Sequence, residues 1–270
     1  RMNTLRIGIA GLGRLGRVHA ENIACKIPGA RLTAACTTRP ETLEYARQLG
    51  VTALYTDFNK MLAEAEIDAV AVVTTSSEHC WQIEAALDAG KHVFSEKPLG
   101  VDIAQCLQAQ AAVERHPELV FMLGFMRRYD PSYAYAKRQV DAGVIGTPYL
   151  VKATGLDPEA VVEDAIRFCK NSGGFFLAAP IHDIDLMRWF LGSEASEVYA
   201  LGATFKHPEF RQAGDDETGL AVFRFENGAM GTVHVGRTCP YGYHVETEIV
   251  GTEGTLRISA VPEKNLARVY

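Results

Sequence analysis

Short apolar runs alternate with amphipathic stretches along the first 123 residues of the chain. The pattern predicts strands at 5–10, 31–36, 69–74, 92–95 and 119–123, and helices at 15–25, 41–49, 79–89 and 103–114. The unbroken apolar run at 69–74 is typical of a strand covered on both faces. Ser76 or Ser77 is expected to cap the helix at 79–89. Because strands and helices alternate, this part is predicted to be α/β, with a doubly wound parallel sheet.

The pattern changes after Gly124, where prolines interrupt the chain often. From Gly219 onward, alternating apolar positions predict a strand, and Asn227-Gly228 predicts a tight turn into a second strand at 230–235. Another hairpin is predicted at 247–258. We therefore predict an N-terminal domain at 1–123 and a C-terminal α+β domain at 124–270, with a large open sheet that is mostly antiparallel.

Composition narrows the possible functions. The 270 residues are 47% hydrophobic and 22% charged, as in ordinary globular proteins, and the formal net charge is -6. A nucleic-acid-binding protein normally carries a basic surface, and an anionic membrane attracts clusters of Lys and Arg, so neither partner is expected. No apolar stretch is long enough to span a bilayer. Six scattered cysteines without a C-x-x-C pair favour reduced thiols in the cytoplasm and no metal site.

A glycine-rich loop follows the first predicted strand and opens the first predicted helix. It fits the pattern G-x-G-x-x-G with the residues Gly11, Leu12, Gly13, Arg14, Leu15 and Gly16. In a dinucleotide-binding Rossmann domain, these glycines form a tight turn, let the backbone approach the pyrophosphate, and let helix and strand pack closely. The helix N-terminus then offers N–H groups to the phosphates. Position and order favour this interpretation over a glycine-rich turn without a ligand.

The end of the second predicted strand bears on which dinucleotide binds. Enzymes that use NAD usually carry an Asp or Glu there, which accepts hydrogen bonds from the ribose hydroxyls. This chain has Thr37, Thr38 and Arg39 instead, and the first carboxylate after the strand is Glu41. Since small hydroxyls and an arginine suit a 2′-phosphate, we expect NADP. NAD is the alternative, with Arg39 as a solvated loop residue or stacked on the adenine.

Four further segments carry polar motifs: 72–79 (V-V-T-T-S-S-E-H), 96–98 (E-K-P), 124–131 (G-F-M-R-R-Y-D-P) and 173–185, which starts G-G-F-F and ends I-H-D-I-D. The first lies at the carboxyl end of a strand, where ligands bind in such sheets, so Thr74, Thr75 and His79 are expected to contact the cofactor. Together these motifs resemble those of the Gfo/Idh/MocA oxidoreductase family over about residues 5 to 260. Within it, the chain most resembles the inositol 2-dehydrogenase branch.

The resemblance implies an NAD(P)-dependent dehydrogenase that takes hydride from a secondary hydroxyl of an inositol, sugar or related polyol. It implies that Lys97 polarises this hydroxyl beside the nicotinamide, with Glu96 also at the cofactor. It implies that His182 is the acid/base residue, and a histidine suits this role because it titrates near neutral pH. Asp185, one helical turn further, is expected to orient His182 or to contact substrate. Further substrate-binding residues are expected at Met126, Arg127, Asp157 and Tyr241.

Structural roles are the alternative for several of these residues. A Lys-Pro pair such as Lys97-Pro98 is often a surface turn. Asp183 is a candidate cap for a helix predicted at 184–191, and His182 a candidate buried core histidine. One of Arg127 and Arg128 is a candidate for a purely structural ion-pair partner.

The chain departs from the inositol dehydrogenase pattern at Ala178, where that branch carries an Asp four residues before the catalytic His. The absence of this carboxylate is expected to reduce the rate or to change the substrate, unless its role is taken over by Asp157, Asp183 or Asp185. Two other hypotheses therefore stay open: an enzyme of this fold that uses bound NAD in glycoside cleavage, and a non-catalytic dinucleotide sensor. The resemblance also implies further chain beyond Tyr270, and open sheets that pair face to face in a homodimer or homotetramer.

Overall fold

The computed structural model describes residues 4–169 and 172–259 of the chain. These residues form two compact units, which meet in sequence at Gly124 and Phe125. The prediction that the C-terminal end is incomplete falls on residues 260–270, which lie outside the described residues.

The N-terminal unit is a six-stranded sheet in which every neighbouring pair of strands is parallel. Its strands are β1 (Leu5–Ala10), β2 (Ala30–Cys36), β3 (Ala53–Tyr55), β4 (Ala69–Val72), β5 (His92–Ser95) and β6 (Phe121–Leu123). The helices are α1 (Arg14–Cys25), α2 (Leu43–Gln48), α3 (Phe58–Glu64), α4 (Ser76–Asp88) and α5 (Ile103–Arg115). The chain adds β2 and β3 on one side of β1 and then β4, β5 and β6 on the other side, which gives the order β3-β2-β1-β4-β5-β6. This order confirms the predicted doubly wound parallel sheet.

Strand β4 lies at the centre of this unit and is covered on both faces. All four of its residues are buried. Val70 and Val72 pack with Ile83 on one face, and Ala71 packs with Ile9 on the other. The unbroken apolar run at 69–74 predicted this environment, because a strand covered on both faces has no position left for a polar side chain.

Two details of the N-terminal unit differ from the sequence prediction. The pattern did not predict β3 or α3, which have only three and seven residues. Helix α4 begins at Ser76 and its N-cap residue is Thr75, so the prediction that Ser76 or Ser77 caps this helix is wrong. Asp57 instead shows the expected capping geometry for α3, since its carboxylate accepts a 2.9 Å hydrogen bond from the Lys60 N–H.

The C-terminal unit is a second six-stranded sheet, with helices packed on one face. Its strands are β7 (Pro148–Pro158), β8 (Ala195–Ala203), β9 (Thr218–Phe225), β10 (Met230–Cys239), β11 (His244–Gly251) and β12 (Thr255–Ser259). Its helices are α6 (Pro131–Asp141), α7 (Val162–Cys169), α8 (Phe175–Ala178), α9 (Ile181–Leu191) and α10 (Pro208–Gln212). The order is β12-β11-β7-β10-β9-β8, and within the described part of this sheet only β7 and β10 pair in parallel. The predicted α+β unit with a mostly antiparallel sheet is confirmed.

Helix α9 covers one face of this sheet, and its buried Leu186, Met187 and Phe190 belong to the same apolar core as Val233. Gly231 makes room for the helix, because a Cβ atom there would lie 2.7 Å from the sulfur of Met187. The opposite side of the sheet carries a patch of exposed apolar residues that we call the open face: Tyr199, Leu201, Leu220, Val222 and Met230. Neighbouring strands align these residues, since Tyr199 pairs with Val222 and Leu201 with Leu220.

Candidate functional site

The glycine-rich loop between β1 and α1 leaves no space for side chains at two of its glycines. Gly11 has a φ of +94°, and a Cβ atom there would lie 2.3 Å from the carbonyl oxygen of Val73. A Cβ atom on Gly16 would lie 2.1 Å from the carbonyl oxygen of Gly11. Both distances are far below van der Waals contact, so the loop closes against β4 and α1 only with glycine at these positions.

The remaining glycine of the loop is open. Gly13 is the N-cap residue of α1, and a Cβ atom there would meet only the Arg39 guanidinium, at 3.8 Å. Because Gly13 has no side chain to accept hydrogen bonds, the first N–H groups of α1 are left for an anion. The side chain of Leu12 is buried in the core, whereas those of Arg14 and Leu15 are exposed. The arrangement fits a pyrophosphate held by backbone groups, and Leu12 offers such a ligand only its backbone.

The end of β2 lies beside this loop. Thr37 is buried, and its hydroxyl accepts hydrogen bonds from the Arg39 N–H at 3.2 Å and from the Thr42 hydroxyl at 3.1 Å. Thr37 therefore fixes the turn, while Thr38 and Arg39 are exposed. The Arg39 guanidinium lies next to Gly13, so the turn places a cation beside the proposed phosphate-binding backbone.

His79 links the end of β4 to the E-K-P segment. Its ring is 1% exposed, with Nδ1 2.7 Å from the carbonyl oxygen of Pro98 and Nε2 3.2 Å from that of Thr74. The Thr74 hydroxyl donates to Gln82 at 2.7 Å, and Thr75 is exposed. His79 is thus placed to support the chain around Pro98, and its direct contact with a cofactor stays a prediction.

Glu96 holds the start of the E-K-P segment through both of its carboxylate oxygens. Oε1 lies 2.8 Å from Nε2 of His19 on α1, and Oε2 accepts the Lys97 backbone N–H at 3.2 Å. The His19 ring also lies 5.2 Å from the Phe94 ring. Local motifs did not identify His19, although its position one helical turn after Gly16 places it on the same side of the helix. The pair joins the phosphate-loop helix to the backbone of Lys97, whose peptide bond to Pro98 is cis.

In the C-terminal unit, Arg127 and Asp183 form a buried ion pair. The Arg127 Nη1 atom bonds directly to the Asp183 carboxylate, and the exposed fractions of the two residues are 9% and 0%. Burial raises the pKa of the Asp183 carboxyl, and the adjacent guanidinium opposes that rise. Asp183 lies in the first turn of α9, which begins at Ile181 after the N-cap residue Pro180. The alternative that Asp183 caps this helix is therefore wrong.

Asp185 makes a bidentate ion pair with Arg128. The two nitrogen–oxygen distances are 2.8 and 2.7 Å, and the guanidinium also lies over the Trp189 ring at 5.4 Å. Both arginines of the M-R-R motif thus have carboxylate partners on α9. Because Arg128 engages both oxygens of Asp185, this carboxylate is held in one orientation. A role of Asp185 in orienting His182 stays a prediction.

His182 is the second residue of α9, and the edge of its ring packs against Phe125 at 6.2 Å with an interplanar angle of 83°. Asp157 lies near the carboxyl end of β7, and Tyr241 lies two residues after the end of β10. Since these two strands pair in parallel, Asp157 and Tyr241 both lie at the carboxyl end of the pair. The Tyr241 hydroxyl is 2.8 Å from Nδ1 of His244. Met126 is 59% exposed.

Within the described part of the chain, no cluster of three or more His, Cys, Asp or Glu side chains could hold a metal ion. The six cysteines are free: four are buried, Cys106 is half-buried and Cys25 is exposed. Nor do the described residues contain a helix that is long and apolar enough to cross a membrane. The cytoplasmic location stays a prediction.

Comparisons with known proteins cover almost the whole chain. Residues 5–125 match the oxidoreductase family with an NAD-binding Rossmann fold, and residues 133–257 match the Gfo/Idh/MocA C-terminal domain. The scyllo-inositol 2-dehydrogenase (NAD(+)) of Bacillus subtilis is 38% identical over 97% of this chain and 76% of its own length. The myo-inositol 2-dehydrogenase of Thermotoga maritima is 36% identical over 96% of this chain and 76% of its own length.

Solved structures agree with these relatives. The scyllo-inositol dehydrogenase of Lactobacillus casei, with bound NAD(H) and scyllo-inositol, is 49% identical and superimposes with a TM-score of 0.91. The match covers 99% of this chain and 79% of that chain. Both halves of the sequence, the two six-stranded sheets and the glycine-rich loop therefore lead to one assignment: this chain belongs to the Gfo/Idh/MocA family of oxidoreductases.

Proposed function

We propose that the chain oxidises a secondary hydroxyl of an inositol or a closely related polyol. The observation that carries this proposal is the similarity to enzymes named as inositol dehydrogenases, which extends over both units rather than over the dinucleotide-binding half alone. A match at 49% identity that covers 99% of the chain, and so includes the C-terminal unit, supports a shared substrate class more strongly than a shared Rossmann fold does.

Lys97 and His182 are the residues to which we assign the proton chemistry. A nicotinamide held by the glycine-rich loop would supply the hydride acceptor for the carbon that carries the reacting hydroxyl. The Lys97 ammonium polarises that hydroxyl, and the Glu96 carboxylate fixes the Lys97 backbone. His182 accepts the hydroxyl proton, because a neutral imidazole is an effective base near pH 7. Met126, Arg127, Asp157, Asp185 and Tyr241 are proposed to shape or support the substrate side.

The test is turnover by the purified protein with NAD⁺ or NADP⁺ and a panel of inositols, aldoses and sugar acids. Turnover is monitored as the formation of reduced nicotinamide. We expect turnover with at least one inositol. Lys97→Ala should abolish turnover while the cofactor still binds, since the phosphate loop is unchanged. Turnover of Lys97→Ala near the wild-type rate would contradict the proposed mechanism.

We also propose that NADP is accepted in addition to NAD. The support is the turn after β2, where Arg39 lies beside Gly13 and the first carboxylate after the strand is Glu41. Such a turn attracts a 2′-phosphate and lacks the acidic group that would repel it. The relatives named with NAD(+) or NAD(H) support NAD for the shared reaction.

Arg39→Ala tests the cofactor proposal. The change should weaken the binding of NADP much more than that of NAD, because only NADP carries the additional 2′-phosphate. Dissociation constants from fluorescence titration of the reduced cofactors are the measurement. The matched control is Arg31→Ala, because Arg31 is exposed at the opposite end of β2 from this turn. An equal effect of Arg39→Ala on both cofactors would remove the reason for proposing NADP.

Ala178 favours a second candidate function. The resemblance places an acidic residue here in inositol dehydrogenases, and a chain without it is a candidate for non-redox chemistry with bound NAD or for a dinucleotide sensor. Cofactor that binds without net reduction, whichever member of the panel is supplied, would support this candidate over the first.

We further propose that the open face forms the contact between subunits of a homodimer or homotetramer. Five large apolar side chains on three adjacent strands are exposed there, and their exposed fractions range from 48% to 68%. The face is flanked by oppositely charged pairs, Lys152 with Glu248 and Arg224 with Glu197. An apolar centre with a charged rim is typical of a surface that a protein partner covers.

A further inference from the structure

A buried arginine in the C-terminal unit contacts one carboxylate and two aromatic rings. The side chain of Arg237 on β10 is 5% exposed, and its Nη1 atom lies 2.9 Å from Oδ2 of Asp215, whose side chain is 6% exposed. The guanidinium lies 5.2 Å from the Phe175 ring and 5.1 Å from the Phe210 ring. Neither Arg237 nor Asp215 belongs to the residues assigned above to cofactor or substrate.

The second oxygen of Asp215 holds the start of α8. Its Oδ1 atom accepts the backbone N–H of Phe175, the first residue of that helix, at 2.6 Å. The Asp215 backbone N–H in turn donates to the Phe210 carbonyl at 2.9 Å, which ties Asp215 to α10. Gly219 leaves room for this arrangement, because a Cβ atom there would lie 2.7 Å from the Phe175 ring. Asp215 therefore connects β10, α8 and α10.

Energetics favour a geometric role for the pair. Burying two opposite charges removes both from water, and this loss offsets much of their attraction, so such a pair adds little net stability over apolar packing. What a buried pair does supply is a fixed position for the groups it bonds. Here the bonded group is the backbone at Phe175.

The segment held in this way leads directly to His182. Helix α8 ends at Ala178, and Pro180 is the N-cap residue of α9, whose second residue is His182. The Pro180 carbonyl accepts the N–H groups of Asp183 and Ile184, each at 2.9 Å, so the short connection is itself hydrogen-bonded. A shift at the start of α8 is thus passed along four residues of helix and a short turn to the His182 ring.

We propose that Arg237 and Asp215 are positioning residues, which fix the start of α8 and thereby the orientation of the His182 imidazole. The catalytic consequence rests on the proposed function, in which His182 accepts the hydroxyl proton. The pair belongs to the C-terminal unit, whereas the glycine-rich loop and Arg39 belong to the N-terminal unit, so we expect an effect on turnover and not on cofactor affinity.

The experiment compares Asp215→Asn, Arg237→Lys and the control Asp216→Asn. Asn at 215 keeps an oxygen for the Phe175 N–H but leaves Arg237 without its countercharge. Lys at 237 keeps the charge but loses the flat group between the two rings. Asp216 is the neighbouring carboxylate, and its side chain lies against Gly202 on β8. All three variants are compared with the wild type in kcat, in the dissociation constant of the cofactor, and in the ¹⁵N signals of the histidine rings, with His182→Asn identifying the His182 signal.

We expect Asp215→Asn to lower kcat by about tenfold to a hundredfold, because small misplacement of a catalytic group has effects of this size. Arg237→Lys should lower kcat less, and Asp216→Asn should leave it unchanged. Cofactor affinity should stay at the wild-type value in all three. The His182 ring signal should shift in Asp215→Asn and in Arg237→Lys, and not in Asp216→Asn.

Wild-type kcat and an unshifted His182 signal in Arg237→Lys and in Asp215→Asn would overturn the proposal. If Asp215→Asn does not fold, Arg237→Lys decides alone. If the wild type turns over no member of the panel, the proposed function fails, and the ring signal of His182 still decides whether the pair positions it.

Discussion

The adjacent residues Arg127 and Arg128 have the same chemistry and different environments. Sequence alone predicted a substrate role for Arg127 and a structural role for one of the two, but it could not say which carboxylate each would meet. Their partners, Asp183 and Asp185, lie 56 and 57 positions further along the chain. Only the fold brings these positions together, so the pairing was outside the reach of local patterns.

Arg127→Met should destabilise the protein strongly, by about 3–5 kcal/mol, because it leaves the buried Asp183 carboxylate without a countercharge. Burial raises the pKa of Asp183, and removing the guanidinium removes the group that opposes this rise. The folded state of the variant then binds a proton at higher pH than the unfolded state does. The lost stability should therefore be partly regained as the pH falls toward the ordinary pKa of an aspartate.

Thermal unfolding of Arg127→Met at several pH values is the measurement, with Arg128→Met as the control. Arg128 is 37% exposed at its side chain, so its loss should have a smaller effect. A Tm difference from the wild type that grows on acidification would contradict the expected sign.

At the scale of elements, different glycines of the glycine-rich loop are needed for folding and for cofactor binding. Gly16→Ala should lower the Tm, because the new Cβ atom would lie 2.1 Å from the backbone oxygen of Gly11. Gly13→Ala should leave the Tm close to that of the wild type, since the new Cβ atom meets only Arg39 in the protein. It should weaken cofactor binding, because this Cβ atom stands where the backbone must approach the pyrophosphate. Unfolding and cofactor titration together check both changes, and a large loss of Tm in Gly13→Ala would refute the distinction.

Patterns of apolar residues predicted most strands of the N-terminal unit, because each is long enough to show a run or an alternation. They missed β3 and α3, which are too short to show a period. In the C-terminal unit they also missed β7 and β8. Strand β8 is exposed along nearly its whole length, so its residues carry no contrast between a buried and a solvated face.

In the candidate site, too, the sequence predicted some features and missed others. Motifs identified the glycine-rich loop, the E-K-P segment and the segment that carries His182, because their chemistry is local in sequence. They did not identify His19, Asp215 or Arg237. Each of these acts through a partner from another element, at a distance that no local spacing encodes.

At the scale of the whole molecule, the open face predicts association. Val222→Asp should shift the protein toward monomers, because it puts a charge at the centre of an apolar contact. Light scattering coupled to size-exclusion chromatography measures the change. Val120→Asp is the matched control, since Val120 is 63% exposed in the N-terminal unit and does not belong to this face. An unchanged mass for Val222→Asp, at concentrations where the wild type is oligomeric, would argue against the open face as the contact.

The parallel pairing of β7 with β10 has a consequence for synthesis on the ribosome. Strand β7 lies between β10 and β11, and both neighbours come later in the chain, after the long stretch 159–229. Protein chains emerge from the N-terminus at a limited rate, so β7 leaves the ribosome with both of its edges unpaired. The delay is shorter in the N-terminal unit, because β1 ends at Ala10 and its neighbour β2 already begins at Ala30. We therefore expect the nascent C-terminal unit, and not the Rossmann unit, to be the part of this protein that chaperones protect.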